Sequence, residues 1–141
     1  MMNHHADITF LALTVWREAR GEGSEGKLAV AKCILNRVQK PGWWGKDIMS
    51  VVFKKWQFSS LTDPKDPQLT TWPKSDDKAW IESLDIAEKA LTWTTGHPAP
   101  GADSYYDISI SPPKWATDNC FVKQLGRLRF YNVDIDLELI P

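Results

Sequence analysis

Several residue types are scarce in this chain, and each shortage removes a class of chemistry. Two cysteines, Cys33 and Cys120, lie far apart among 141 residues. Neither belongs to a Cys-x-x-Cys pair, and two cysteines do not make a disulfide scaffold. Cys33 falls in a helical stretch and reads as a small buried apolar residue. The histidines are His4, His5 and His97. No His-Glu-x-x-His or similar spacing links them, which argues against a catalytic metal; no cofactor is predicted. A basic excess is missing too: the formal net charge is -1, which gives no support to a nucleic-acid partner. Lys40, Lys46, Lys54, Lys55, Arg127 and Arg129 read as a solvated face. No apolar run approaches the length of a membrane span, so no membrane partner is expected. The opening Met-Met-Asn-His-His-Ala-Asp has no basic head followed by an apolar segment. The expectation is synthesis in a cytoplasm without a signal peptide. Internal repeats and low-complexity segments are absent as well.

What remains is an ordinary globular composition, 43% hydrophobic and 25% charged. It predicts one soluble, monomeric domain over residues 1–141 with a real core. The eight tryptophans are the unusual count. Trp16, Trp80 and Trp93 fall in helical patterns and read as core. Trp43, Trp44, Trp56, Trp72 and Trp115 lie near Gly, Pro or polar residues and read as loop residues. Each of these could stack on a sugar ring or close a small satellite core.

Apolar spacing predicts a helix over residues 6–20, with Ile8, Leu11, Ala12, Val15 and Ala19 on one face. Phe10, Leu13 and Trp16 make other faces apolar, so this helix should be central. Asp7 is placed to cap it and Gly21 to end it. A second helix spans 24–39, with Ser24 as its cap, Glu25 in the first turn, and Leu28, Ala31, Ile34, Leu35 and Val38 inward. Pro41-Gly42 stops it. Asp47 caps a short helix running to about Lys54, with Ile48, Val51 and Val52 inward. Residues 56–74 read as a long loop. Asp76 caps a third long helix to about Thr94, with Trp80, Leu84, Ala87 and Leu91 on one face. Beyond it the period changes to two. Ser104 to Ile110 alternates, with Tyr106, Ile108 and Ile110 on one side, and Leu125 to Asn132 alternates again. Ile135, Leu137 and Leu139 suggest a last strand. Helices followed by a small sheet give an α+β fold.

The stretch from Trp16 to Gly26 carries three carboxylates, Glu18, Glu22 and Glu25, at the end of an apolar helix and beside three glycines. A carboxyl group at that place can face a cleft, where an apolar surround keeps a proton available for transfer. Charged residues followed by glycine also end ordinary helices. The blocks downstream decide between the two. Glu18-Ala-Arg-Gly-Glu22 is followed by Glu25-Gly-Lys-Leu-Ala-Val-Ala31 and Ile34-Leu-Asn-Arg-Val38. Then come Gln57-Phe-Ser59, Gly101-Ala-Asp-Ser-Tyr-Tyr106, Pro113-Lys-Trp115 and Gly126-Arg-Leu-Arg-Phe-Tyr131. In this order they resemble the SleB/CwlJ cell-wall hydrolase family, the spore-cortex-lytic type, over about residues 8–132.

The resemblance implies a lysozyme-like fold, mainly helical with a small C-terminal antiparallel sheet. It implies cleavage of the MurNAc–GlcNAc bond in peptidoglycan glycan strands, with Glu18 as the catalytic acid and Glu22 as a supporting second glutamate. Arg129 stands where members commonly have His before the terminal Phe-Tyr. Asp103-Ser104 stand where the pattern often reads Thr-His. Both departures bear on substrate contacts and leave the acid in place.

A glycosidase that hydrolyses needs a second carboxylate. Glu22, Asp63, Asp66 and Asp103 are the candidates, and none has a compelling position. A lytic transglycosylase manages with one glutamate, because the sugar's own C6 hydroxyl attacks, and the reading leans that way. Arg17 and Arg20 are the counter-argument, since an ion pair would favour the carboxylate form of Glu18; side chains at i and i+2 on a helix point apart, so Arg20 need not touch it. Gln57 and Ser59 are candidate donors to the sugar. Tyr105, Tyr106, Trp115 and Tyr131 are candidate cleft walls. Asn36 reads as a structural residue that bonds a neighbouring backbone. The expected setting is a phage endolysin released by a holin. Alternatives are a hydrolytic muramidase and a non-catalytic glycan-binding module.

Overall fold

The computed structural model describes residues 4–40, 44–54, 57–92 and 95–133. The expectations for Pro41-Gly42, Trp43, Lys55, Trp56, Trp93 and the strand at Ile135, Leu137 and Leu139 lie outside these residues. Five helices precede a sheet: α1 (His4–Ala19), α2 (Ser24–Gln39), α3 (Ile48–Val52), α4 (Ser59–Thr62) and α5 (Lys78–Leu91), then β1 (Ser104–Asp107), β2 (Phe121–Leu125) and β3 (Leu128–Tyr131). Short 3-10 turns at Pro67–Thr70 and Asp118–Cys120 interrupt the connections. Among the described residues no helix is long and apolar enough to cross a membrane.

Helix α1 is apolar nearly all round and packs against α2, α3, α4 and α5. Its Leu11, Val15 and Ala19 are buried with Ile34 of α2 and Val51 of α3 in one core. The caps differ from expectation in three places. Asp7 lies inside the first turn of α1, not ahead of it, and its carboxyl is buried, pushed up by desolvation and by Asp47. Gly23 precedes α2, and Ser24 spends its hydroxyl on Glu82 of α5 (2.9 Å). Asp77 caps α5 in place of Asp76, accepting from the amides of Ala79 (2.8 Å) and Trp80 (3.2 Å). Asp47 does cap α3, in a reciprocal capping box with Ser50.

The sheet runs β1-β3-β2, antiparallel throughout, with β3 in the centre. The single alternating run expected from Leu125 to Asn132 is in fact the tail of β2, a turn, and β3. Leu125 pairs with Leu128 across Gly126-Arg127, and Gly126 has φ +59, the left-handed conformation that tight hairpins require. Strand β2 carries no alternating apolar signal, because it is a polar edge strand with a bulge between Phe121 and Lys123. Strand β1 stops at Asp107, whose side chain accepts from the Ser109 amide (2.8 Å) and turns the chain away. Ile108 and Ile110 therefore do not join the buried side; they are 45% and 56% exposed. Within the expected 56–74 loop, α4 and the 3-10 turn add two short ordered pieces.

Candidate active site

Glu18 sits in the last turn of α1 and is half-buried. Two hydroxyls reach it from elsewhere in the chain. Ser60 Oγ donates to Glu18 Oε2 at 2.6 Å, and Tyr105 Oη donates to Glu18 Oε1 at 2.7 Å. Each carboxylate oxygen has its own short donor, so the plane of the carboxyl group is fixed. Burial, followed by the charge and hydrogen bond of Glu18, holds the Tyr105 hydroxyl well above its ordinary 10.0, so it stays a donor through the neutral range.

Local structure explains both deliveries. The single turn of α4 turns Ser60 and Leu61 inward, while Ser59 faces solvent and donates to Asp66 (2.6 Å). The neighbour of the expected serine is thus the one on Glu18. Ser60 was the missed residue; its signal was the tandem serine, which needs only the phase of one helical turn to be read. In β1, alternation puts Tyr105 on the face shared with Phe130, its register partner, whose ring lies 5.7 Å away.

The arginines beside Glu18 are engaged elsewhere. Arg17 donates to the carbonyls of Ser60 (3.1 Å), Leu69 (3.1 Å) and Thr71 (3.3 Å), and lies against the ring of Trp72. It acts as the spool around which the 60–72 segment winds. Trp72 itself is 67% exposed. Arg20 bonds Gln68 (2.7 Å) and covers Trp16.

Glu22 is not brought into this cluster. Its Oε1 accepts from the Arg127 amide (2.8 Å), and a Cβ at Gly126 would come within 2.5 Å of that oxygen. It is the anchor of the β2–β3 turn. Glu22, Gly23, Gly26 and Gly126 line a cavity of about 280 Å³ there. The other candidate second carboxylates are also committed. Asp63 accepts from the Lys65 amide, and Asp66 from Ser59 and the Gln68 amide. Asp103 is buried, accepts from Ser104 and the Val133 amide, and pairs with Lys40.

Tyr106, Trp115 and Tyr131 gather on the opposite face of the sheet from Tyr105. Tyr106 stacks on Tyr131 (5.9 Å), and Trp115 meets both edge-on. Arg129, on the same face, donates to Tyr131 and Gln124 and covers Phe121. Trp44 lies in the connection between α2 and α3, as expected, and is buried beneath Arg37. Gln57 is half-buried, and its side chain makes no hydrogen bond among the described residues. Asn36 bonds the Ala102 carbonyl (2.8 Å), as its structural reading predicts. Cys33 and Cys120 are free thiols, and burial pushes Cys33 up. Among the described residues no group of three His, Cys, Asp or Glu side chains is placed to hold a metal ion.

Residues 21–131 match the Cell Wall Hydrolase family, an interval that starts just after Glu18. The chain is 40% identical over 125 residues to the spore cortex-lytic enzyme of Bacillus subtilis (strain 168), covering 86% of this chain and 36% of that protein. It is 30% identical over 121 residues to the spore cortex-lytic enzyme of Oceanobacillus iheyensis, covering 86% of this chain and 40% of that protein. It therefore spans well under half the length of these relatives. Among solved structures it is similar to the catalytic domain of the germination-specific lytic transglycosylase SleB from Bacillus anthracis. That likeness has a TM-score of 0.71 at 25% identity, over 93% of this chain and 99% of that one. The catalytic domain of the Bacillus cereus SleB protein gives a TM-score of 0.67 at 27% identity, over 90% of each chain.

Proposed function

The chain belongs to the Cell Wall Hydrolase family, and from that membership we propose that residues 1–141 form one catalytic domain that cleaves peptidoglycan glycan strands as a lytic transglycosylase. Glu18 is the single group that gives and then takes the proton. Its proton passes to the oxygen of the leaving sugar as the C1–O bond of MurNAc breaks. The C6 hydroxyl oxygen of the same MurNAc then bonds to C1, and its proton returns to Glu18. A 1,6-anhydro sugar results, no water is consumed, and the carboxyl group ends as it began.

The observation that carries this reading is the pair of hydroxyl donors on a lone glutamate, Ser60 at 2.6 Å and Tyr105 at 2.7 Å. Donors aimed at both oxygens stabilise the carboxylate that remains after a proton is given. The engagement of Glu22, Asp63, Asp66 and Asp103 with other partners supports a route that needs no second carboxylate. Glu22 serves the site from the hairpin side, outside proton transfer. Gln57 and the exposed rim at Trp72 are the substrate-facing surroundings in this reading. The Tyr106, Trp115 and Tyr131 cluster stabilises the sheet that carries Tyr105. The proposed setting is lysis of a bacterial wall by a phage endolysin.

Purified sacculi and mass spectrometry of the released muropeptides test the proposal. Anhydro ends are expected with the native chain, and Glu18→Gln should release none. Reducing ends, heavier by one water, would make the enzyme a muramidase. Wall binding with no release at all would make it a binding module. Normal release by Glu18→Gln would remove Glu18 from the reaction.

A further inference from the structure

Arg37 is a cation in a place that costs a cation a great deal. It lies on α2 and is 6% exposed, with its guanidinium against the rings of Trp44 (4.4 Å) and Phe58 (5.0 Å). Its Nε donates to the Asp103 carbonyl at 2.6 Å, while its buried Nη1 has no partner. Among the described residues no carboxylate forms an ion pair with it. A buried charge with one hydrogen bond, two rings and no ion pair is poor stabilisation for a fold, since an apolar side chain of similar size would fill the space without desolvating a charge.

Its neighbours give it a use. Asn36 and Arg37 grip the consecutive carbonyls of Ala102 and Asp103, directly ahead of β1, which presents Tyr105. Phe58, under the guanidinium, is the residue from which α4 starts, and Ser60 follows on that turn. One side chain thus touches both segments that bring hydroxyls to Glu18. The acidic groups that act on Arg37 are Asp103 and Glu18, whereas Cys33 and Tyr105, both pushed up by burial, stay neutral near pH 7.

We propose that Arg37 is a positioning residue of the reaction: its buried guanidinium fixes the Asp103 and Phe58 segments, so that Tyr105 and Ser60 meet Glu18. The inference rests on Glu18 being the acid. The remaining charged groups near the site are bound elsewhere. Arg17 holds loop carbonyls, Arg20 holds Gln68, Glu22 holds the hairpin, and Lys40 pairs with Asp103.

The test compares the full chain with Arg37→Met, Arg37→Lys and Glu18→Gln on sacculi, with melting temperatures measured alongside. Arg37→Met should lower kcat about a hundredfold, the scale of losing one preorganised electrostatic contact, and leave KM within about twofold. Arg37→Lys keeps the charge but not the planar fork, so it should recover part of the rate while kcat stays about tenfold low. If Arg37→Met does not fold, the Arg37→Lys deficit stands as the test. Folded variants with native kcat, or a loss carried by KM in place of kcat, would overturn the role of Arg37. Those results beside an inactive Glu18→Gln would leave the proposed function intact, whereas an active Glu18→Gln would remove both.

Discussion

Glu18 accepts one hydrogen bond on each carboxylate oxygen, and each donor is separately removable. Tyr105→Phe and Ser60→Ala delete only a hydroxyl. Hydrogen bonds to a charged group contribute about 1.5–3 kcal/mol, and about 1.4 kcal/mol is tenfold in rate. Each variant should therefore lose about tenfold to a hundredfold in kcat, measured as muropeptide release, with KM little changed. Native rates in both would mean that the two bonds organise the resting protein only. Ser59→Ala is the control: its hydroxyl serves Asp66 and should be dispensable for kcat.

The hairpin offers a second kind of test, at the level of an element. Gly126 has φ +59, and the Glu22 carboxylate fills the space where its Cβ would stand. Gly126→Ala should destabilise the fold by about 1–3 kcal/mol through backbone strain and this collision. Glu22→Ala removes the collision along with the bond to the Arg127 amide, so the double variant should be less destabilised than the two singles added together. Urea unfolding of the four proteins measures the coupling, and strict additivity would refute it. Glu22→Gln keeps an oxygen for that amide and should keep most of the activity; a loss as deep as that of Glu18→Gln would make Glu22 a second catalytic carboxylate. At the N-terminus of α5, Asp77→Ala should cost about 1 kcal/mol, whereas Asp76→Ala should not.

Across the whole molecule, His97 and Glu82 carry part of the response to pH, beside the shifted carboxyl groups of Asp7, Asp47 and Asp107. The Ala99 amide donates to His97 Nδ1 (3.0 Å), and Nε2 lies 3.0 Å from the Ala102 carbonyl, a pattern that only the neutral ring can satisfy. Burial holds its pKa below the ordinary 6.5, with the Lys32 charge acting the same way. The unfolded chain then binds the proton more readily than the folded one. The contribution of His97 is complete above pH 6.5 and is lost as pH falls through its lower folded value. Glu82 is held below its ordinary 4.5 by its bonds to Lys27 and Ser24, so its contribution persists above that pH and fades further into acid. Chemical denaturation between about pH 7.5 and about pH 5.5 should show stability falling on the acid side, and His97→Gln should flatten that step. A flat native profile would refute the role of His97.

Short-range periodicity and local composition are enough to specify part of this molecule. The bounds of α2, the burial along α1, the capping of α3 by Asp47 and the change from helices to strands all follow from residues within a few turns of one another. So does the placement of a glutamate at the end of a buried helix, and the ordered blocks that marked the family were legible without coordinates. Tertiary structure decided what those residues meet. Whether Ser59 or Ser60 faces Glu18 depends on the phase of one isolated turn. Whether Tyr105 or Tyr106 does depends on which face of a three-stranded sheet packs on α1 and α2. The engagement of Glu22 with a hairpin more than a hundred residues away, and the gathering of the Tyr105 and Ser60 segments around Arg37, are long-range contacts. No local pattern encodes them, because a side chain's partner across the fold is set by how the elements pack and not by its neighbours in the chain.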